Sequence, residues 1–248
     1  MSRPYLLAET HWKAVKMTDY DAAVLPWGAT EAHNYHLPYA TDNYEADALA
    51  AEAARLAWEA GRKVLVLPTI PFGVNTGQAD IRLCMNLYPS TQMAILRDLA
   101  EVVARSGIKK LLIFNSHGGN DFKQMVREVG TQFPELWIST CFWFTALDGS
   151  AYFVNPGDHA DETETSLLLH LHPELVLPLE EAGIGHAKKS NISAMREGWA
   201  WAERKWSQIT EDTGVGNPKE ATAEKGARFY TDLTQKLAQF FIELADAD

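Results

Sequence analysis

Short, continuous apolar runs alternate along the chain with longer segments in which apolar and polar residues follow a helical period. Four apolar runs have the length of strands, at 22–26, 63–67, 110–114 and 137–144. The longer periodic segments predict helices at 44–60, 91–106, 121–133, 163–171 and 219–244. Because each strand is apolar throughout, we expect it to be buried on both faces. The alternating order predicts an α/β fold with a mostly parallel sheet covered by helices on both sides.

Polar residues directly follow two of these strands. Glu31 and His33 come after the first strand, and Asp42 lies where the next helix begins. The segment 115–120, Asn-Ser-His-Gly-Gly-Asn, follows the third strand and contains His117. Ligands of open parallel sheets gather at the carboxyl ends of the strands, and carboxylate and imidazole groups that converge there can bind a metal ion. The spacing therefore predicts a metal site.

A third segment, 158–166, reads Asp-His-Ala-Asp-Glu-Thr-Glu-Thr-Ser and leads into a predicted helix. It offers another imidazole, His159, and two carboxylates, Glu162 and Glu164. One of these carboxylates could complete a pair of metal ions bridged by Asp42 and a water, about 3.5 to 4 Å apart as in two-metal enzymes.

Each of these residues also has a purely structural interpretation. Asp42 could cap its helix, and Asn120 could cap the next one. Gly118 and Gly119 could serve only the geometry of the backbone, and the two glutamates could be acids favoured by a helix dipole. A nucleotide-phosphate site is disfavoured, because no GxGxxG motif or Walker lysine accompanies the glycines.

Composition narrows the choice of partner and compartment. The 248 residues, 46% of them hydrophobic, suit a single domain over 1–248, and no linker rich in Pro, Gly or Ser divides them. A net charge of -11 disfavours nucleic acid and anionic membranes, so we expect a small-molecule partner. The two cysteines, Cys84 and Cys141, have no metal-binding spacing. With no apolar stretch typical of a signal peptide or a membrane span, we expect a cytoplasmic protein.

The four motifs together resemble those of the creatininase (creatinine amidohydrolase) family. Its members carry Gly-x-x-Glu-x-His, Thr-Asp, Asn-Gly-His-Gly-Gly-Asn and His-Ala-Gly-Glu-x-Glu-Thr-Ser in this order. The matching segments here are 28–33, 41–42, 115–120 and 159–166, and 217–226 resembles the family's loop before its last helix. The resemblance, which runs from about residue 5 to residue 245, implies a three-layer α/β/α sandwich and a homo-oligomer, usually a hexamer.

The resemblance also implies a mechanism. Two divalent metal ions, Zn and/or Mn or sometimes Fe, would be held by Glu31, Asp42 and His117 on one side and by His33 and the bridging Asp42 on the other. A bridging water that has become hydroxide would attack a non-peptide or cyclic amide carbon. His159 would be the proton shuttle that protonates the leaving nitrogen.

The chain departs from creatininase itself at one metal ligand. Creatininase has Tyr-Glu where this chain has Gly118 and Gly119, and that glutamate binds metal. Glu162 or Glu164 is the candidate replacement, and Glu162 is favoured because creatininase has an apolar residue at that position.

The substrate is also expected to differ. Trp143 matches one of the tryptophans on which creatininase stacks its flat substrate, but Asn155 stands where it has another. Other branches of the family act on a formamide of a ribosylaminopyrimidine or on the mycofactocin precursor peptide, and this chain matches neither fully. We expect the substrate, an amide other than creatinine, to contact four residues: His36, Gly118, Gly119 and Trp143.

Two alternatives stay open. Three tryptophans in the loop-rich stretch could form a wall of the substrate pocket or pack a subunit interface: Trp199, Trp201 and Trp206. The missing glutamate and tryptophan also allow a non-catalytic member of the family, retained as a small-molecule-binding or scaffold protein.

Overall fold

A four-stranded parallel sheet lies at the centre of the computed structural model, which describes residues 3–247 of the chain. The strands are β1 (Ala22–Trp27), β2 (Val64–Val66), β3 (Lys110–Asn115) and β4 (Trp137–Phe142). They lie in the order β2-β1-β3-β4, and all neighbours are parallel. The register pairs Trp27 with Asn115, so β1 and β3 end side by side.

Helices connect and cover the strands. They are α1 (Trp12–Val15), α2 (Thr41–Glu59), α3 (Pro89–Arg105), α4 (Lys123–Gln132), α5 (Glu162–Leu171), α6 (Ser193–Arg196), α7 (Trp206–Ile209) and α8 (Ala223–Asp246). Within residues 3–247, no helix is long and apolar enough to cross a membrane. The five predicted helices are confirmed with shifted ends. The last begins at Ala223 rather than near 219, because Pro218–Glu220 forms a separate 3-10 turn and the Thr222 side chain caps the helix.

The sheet separates two hydrophobic cores. Ala22 and Val24 of β1 face the core formed with α2, α5 and α8. Ala23, Leu25 and Trp27 face the opposite core, formed with α3 and α4. Successive residues of one strand therefore enter different cores, which explains the continuous apolar runs. The predicted three-layer α/β/α sandwich is confirmed.

The loop before α5 is fixed tightly at the edge of the sheet where β1 and β3 end. The backbone N–H and carbonyl of His159 both bond to Val215, and Ala160 adopts a left-handed φ of 49°. Asp161 caps α5 by accepting hydrogen bonds from the backbone N–H groups of Thr163 and Glu164, at 2.9 and 3.1 Å. This cap sets the rotation of the first turn of α5 and so the direction of its side chains.

Candidate metal centre

Side chains from four parts of the chain converge beyond the ends of β1 and β3. They are Glu31 and His33 after β1, Asp42 in the first turn of α2, His117 after β3, and His159 and Glu164 at the start of α5. All of them are buried except Glu164, which is partly exposed. Carboxylate and imidazole groups this deeply buried need partners of opposite charge.

Asp42 stands between two groups of donor atoms. Its Oδ2 and the Oε1 of Glu31 each lie 3.0 Å from Nδ1 of His117. Its Oδ1 lies 3.0 Å from Nε2 of His33, and Glu164 joins this second group. Within each group the three donor atoms lie within 4.8 Å of one another. The carboxylate of Asp42 can therefore bridge two sites of three ligands each.

Backbone carbonyls orient the three histidine rings. Nε2 of His117 lies 3.0 Å from the carbonyl oxygen of Val74. Nδ1 of His33 lies 3.1 Å from the carbonyl oxygen of Glu31, and Nε2 of His159 lies 2.8 Å from that of Ala32. Since a carbonyl only accepts, the proton of each neutral ring sits on that nitrogen, and the lone pair of the other nitrogen points into the cluster. Metal-binding histidines are held in this way.

The charges of the cluster are balanced only if positive charge is present within it. Burial would lower the pKa of His33, but Asp42 overrides this and raises it to about 10. The pKa of His117 is likewise raised, against burial, by Glu31 and Asp42. Burial raises the pKa of Glu164 to about 8. In the absence of metal, protons therefore supply the positive charge that two divalent cations would supply.

The donor set fits divalent metal ions. Oδ2 of Asp42 is buried and makes no hydrogen bond of good geometry, although it lies 3.0 Å from Nδ1 of His117. An acceptor placed in this way is available to a cation. Mixed nitrogen and oxygen donors suit Zn, Mn or Fe, and the partial exposure of Glu164 leaves the site accessible.

Glu162 does not lie in the cluster, which corrects the preference for it over Glu164. Its carboxylate accepts hydrogen bonds from the backbone N–H groups of Val154 and Asn155, at 3.0 and 2.6 Å, and pairs with Nζ of Lys225 at 2.6 Å. Residues two apart on a helix point to nearly opposite sides. With α5 rotated as it is, Glu164 points to His33 and Asp42, and its carboxylate also accepts from the N–H of Ala160.

Neither of the helix caps considered as alternative interpretations is formed. The N-cap of α2 is Ala40, and Asp42 makes no capping hydrogen bond. Asn120 lies before α4, which begins at Lys123. Its side chain instead donates to Asn115 at 2.9 Å and accepts from the N–H of Val74 at 3.0 Å. Asn120 thus ties the His117 loop to the strand and to the segment whose carbonyl orients His117.

The two glycines after His117 differ in their surroundings. A Cβ on Gly119 would overlap the carbonyl oxygen of Val74 and Nε2 of His117, so a side chain would disturb the hydrogen bond that orients this ring. A Cβ on Gly118 would meet nothing within 4 Å. The glutamate that creatininase has at the position of Gly119 therefore has no room on this backbone.

Two cavities meet at the cluster, one of about 690 Å³ and one of about 210 Å³, and Glu31, His117 and His159 line both. Gly118 lines both, Gly119 only the larger and Trp143 only the smaller. Nε1 of Trp143 donates to the hydroxyl of Ser116 at 2.7 Å, which fixes the ring.

His36 lines neither of these two cavities, so the prediction that it contacts the substrate is corrected. Its ring is buried, with Nε2 2.9 Å from the hydroxyl of Thr165. Burial lowers the pKa of His36 to about 4. The residue is therefore a neutral, internal hydrogen-bonding group.

Two of the three loop tryptophans lie at the larger cavity. Trp206 packs edge-on against His159, with 4.8 Å between ring centroids, and Trp201 lines the same wall. Trp199 does not line it and is 73% exposed.

Two further buried residues, which the sequence did not indicate as part of the site, adjoin the cluster. Gln78 donates from its amide nitrogen to Oε2 of Glu31. Glu45 is buried, and neither of its carboxylate oxygens has a hydrogen-bond partner. Burial, with Glu164 nearby, holds its pKa well above the usual value. Glu45 could have been found from the sequence, because it lies one turn after Asp42 on the same face of α2. Gln78 could not, because it lies in a loop where no repeating pattern of residues indicates which side chains face the cluster.

Known proteins resemble the chain over nearly its full length. The model of the creatininase family, described as creatinine amidohydrolase, matches residues 8–241. The mycofactocin precursor peptide peptidase of Mycobacterium tuberculosis (strain CDC 1551 / Oshkosh) is 30% identical over 213 residues, covering 84% of this chain and 79% of that protein. The corresponding peptidase of Mycobacterium ulcerans (strain Agy99) is 28% identical over 225 residues, covering 86% of this chain and 82% of that protein.

Solved structures share the fold. The crystal structure of a provisionally named creatinine amidohydrolase from Bacteroides fragilis NCTC 9343 is 44% identical, with a TM-score of 0.94 over 100% of this chain and 99% of that one. A manganese form of creatininase is 20% identical, with a TM-score of 0.80 over 98% and 99% of the two chains. Because the family model matches nearly the whole sequence, the chain belongs to the creatininase family.

Proposed function

We propose that this protein is a metal-dependent hydrolase that cleaves an amide C–N bond other than an ordinary peptide bond. The observation that carries the proposal is the pair of three-residue donor groups that share Asp42. Glu31 and His117 line both cavities, and Asp42 and Glu164 line the smaller one. Glu31, Asp42 and His117 would hold one divalent cation, and His33, Asp42 and Glu164 the other. Zn, Mn or Fe bound there would activate water and polarise the amide carbonyl.

His159 is placed to move a proton. Its Nε2–H donates to the carbonyl of Ala32, which leaves Nδ1 unprotonated and 3.7 Å from Oε1 of Glu31. Burial lowers the pKa of His159, which favours the neutral ring. Nδ1 can take a proton and return it to the leaving nitrogen. The ring of Trp206 packs edge-on against His159, whose side chain is buried.

The cavities supply flat surfaces and an open approach to the cluster. Trp206 presents an aromatic ring to the larger cavity, and Trp143, although almost fully buried, lines the smaller one. Aromatic rings suit a planar amide. The space above Gly118 lets a substrate reach the donor groups. A small cyclic amide or a formamide is the first candidate. A short peptide is the second, because the larger cavity, of about 690 Å³, extends past the cluster to Lys123 and Arg204, and the curated relatives are named as peptide peptidases.

A substrate panel tests the proposal. The metal-free chain would be reloaded with Zn or Mn, assayed for metal content and incubated with cyclic amides including creatinine, with formamides and with short peptides. We expect about two metals per chain, hydrolysis among the cyclic amides or formamides, and loss of activity on chelation. Hydrolysis of peptides alone would select the second candidate. Two bound metals without any hydrolysis would favour the non-catalytic, binding or scaffold role.

Substitutions separate the roles of the two central residues. Asp42→Ala should lose metal and activity together, because Asp42 would serve both cations. His159→Ala should retain its metal content yet lose about 10²- to 10⁴-fold in turnover, the usual contribution of a proton-transferring side chain. Elemental analysis and steady-state rates on the same preparations make the comparison. Loss of metal in His159→Ala would show that His159 is a ligand, together with Glu31 and His33, and not a proton shuttle.

A further inference from the structure

The two carboxylate oxygens of Glu31 have different neighbours. Oε1 lies 3.0 Å from Nδ1 of His117 and 3.7 Å from Nδ1 of His159, within the cluster. Oε2 points away from these rings and accepts a hydrogen bond from the amide nitrogen of Gln78, a residue that is 1% exposed. One oxygen is thus directed to the metal position, while the other is occupied by a neutral donor.

A cysteine fixes which way the amide of Gln78 faces. The thiol of Cys84 donates to Oε1 of Gln78 at 3.1 Å, and its sulfur accepts from the N–H of Ala32 at 3.2 Å. Burial raises the pKa of Cys84 to about 11, so the thiol keeps its proton. Turning the amide over would place its oxygen against the Glu31 carboxylate, acceptor against acceptor, and would leave the thiol proton without an acceptor.

The backbone holds this arrangement in place. Gln78 ends the 3-10 turn Thr76–Gln78, and its N–H bonds to the carbonyl of Asn75 at 2.9 Å. The same loop is joined to the segment after β1, because the N–H of Met85 donates to the carbonyl of Thr30 at 2.9 Å. These backbone contacts place Gln78 beside Glu31 without help from the other side chains of the cluster.

We propose that Gln78 is a positioning residue that restricts Glu31 to binding a cation through Oε1 alone, with Cys84 holding the Gln78 amide in the required orientation. The inference rests on the proposed function only in taking Glu31 as a metal ligand. Without the Gln78 donor, Oε2 is free to turn toward the cluster, and the site formed with His117 loses its preset geometry. Within residues 3–247, the hydrogen bonds of Gln78 do not reach His33, Asp42 or Glu164, so the site that these three form should be spared.

Stepwise metal titration of the whole chain tests this difference between the two sites. Zn binding would be followed by calorimetry, with a competing chelator to resolve the tighter site. In Gln78→Met, which keeps the volume of the side chain but removes the donor, we expect one of the two sites to weaken about 10- to 100-fold, as is typical when a partner of a metal ligand is lost. The other site should bind as in the wild type.

Matched variants separate positioning from a general loss of packing. Thr234→Val removes another buried polar group, in α8, whose hydroxyl bonds only to backbone carbonyls of its own helix, and should leave both affinities unchanged. Cys84→Ala should weaken the same site as Gln78→Met, and Cys84→Ser, which restores a hydroxyl donor, should recover it. If Gln78→Met fails to fold, the comparison of Cys84→Ala with Cys84→Ser still tests whether the orientation of the Gln78 amide sets the affinity of this site.

Two results would overturn the inference: wild-type affinity at both sites in Gln78→Met and Cys84→Ala, or an equal loss at both sites. A wild-type chain that binds metal and responds to these substitutions, yet hydrolyses nothing, would contradict the proposed function alone. A wild-type chain that binds no divalent metal would contradict both.

Discussion

One position distinguishes this cluster from the one that the resemblance to creatininase implies. The position of the creatininase glutamate is Gly119 here, and the close approach of the Val74 carbonyl excludes any side chain from it. Glu164, the proposed replacement, projects from a different element, the first turn of α5, toward His33.

The two glutamates of α5 should respond differently to the same change. In Glu164→Gln we expect the metal content to fall from about two ions per chain to about one, because a neutral amide binds a cation less well than a carboxylate does. Glu162→Gln should keep both metals but lower the free energy of unfolding by about 1 to 3 kcal/mol, since Lys225 loses its charged partner. Elemental analysis and urea unfolding measure the two effects. Metal loss confined to Glu162→Gln would reverse the assignment.

Most of the donor set could be predicted from where the residues fall relative to the strands. Glu31, His33 and His117 follow strands that end side by side, and parallel pairing alone brings such residues together. The choice between Glu162 and Glu164 could not be predicted, because it depends on the rotation of α5. The Asp161 cap and a lysine from α8, about sixty residues later, set that rotation.

At the scale of elements, one wall of the larger cavity comes from the tryptophan strap, residues 199–207. Two hydrogen bonds hold the strap to the loop that contains the 3-10 turn Thr76–Gln78. The hydroxyl of Thr76 donates to the carboxylate of Glu203, and the hydroxyl of Ser207 donates to that of Asp80. An ion pair of 2.6 Å joins Arg204 to Asp158, next to His159. The strap is thus attached to loops around the cluster, and its cavity-facing ring, Trp206, reaches the ring proposed to transfer the proton.

Trp206→Ala and Trp199→Ala form a matched pair for the strap. Trp206→Ala should keep both metals but lower kcat/KM about tenfold or more, because His159 loses the ring that packs against it and orients it. Trp199→Ala should leave kcat/KM unchanged, since this exposed ring lies off the cavity. Rates on the substrate found in the panel, with metal content as a control, measure both. If both variants change the association state and neither changes turnover, the interface interpretation of these tryptophans is correct.

The periodicity of apolar residues predicted which segments form helices and which form strands. Several of the residues at which these elements begin or end depend on local contacts instead. The helix predicted from 44 begins at Thr41, whose hydroxyl bonds to the carbonyl of Pro38, and this places Asp42 inside the first turn. The strand predicted to run to 144 ends at Phe142, because Trp143–Thr145 turns into a 3-10 helix. Each shift of an element end is only two or three residues, yet it changes the backbone conformation of a candidate site residue, Asp42 in the first case and Trp143 in the second, and so the direction of its side chain.

At the scale of the whole molecule, the fold gathers titratable groups at one edge of a sheet that is otherwise covered by apolar residues. We retain as proposals that residues 1–248 form one domain, that the protein is cytoplasmic and that it assembles as a homo-oligomer, hexameric by family resemblance. The strongly perturbed groups lie together: the pKa values of His33 and Glu164 rise to about 10 and about 8, while that of Asp42 falls below its usual value. Metal binding and folding should therefore be linked through protons.

The metal-free protein should lose stability as the pH rises from about 6.5 to about 10. The folded chain binds the His33 proton more tightly than the unfolded chain, whose histidine has a pKa of 6.5. That contribution is fully present below pH 6.5 and disappears as the pH passes through the folded value of about 10. Glu164, whose pKa rises from 4.5 to about 8, acts in the same direction, because its buried charge must form as the pH rises. The depressed pKa of Asp42 affects only more acidic solutions.

Thermal unfolding with a chelator, scanned from pH 6.5 to pH 10, measures this slope. The metal-loaded protein is the first control and should show a flatter profile, since bound cations have replaced the protons. His33→Gln is the second control: without the ring, the metal-free protein should lose part of the slope. Calorimetry in buffers of different ionisation enthalpy should show protons released when Zn binds near pH 8. A metal-free protein whose stability rises over this range would contradict the assignment of protonated histidines, and with it the view that cations and protons compete for one cluster.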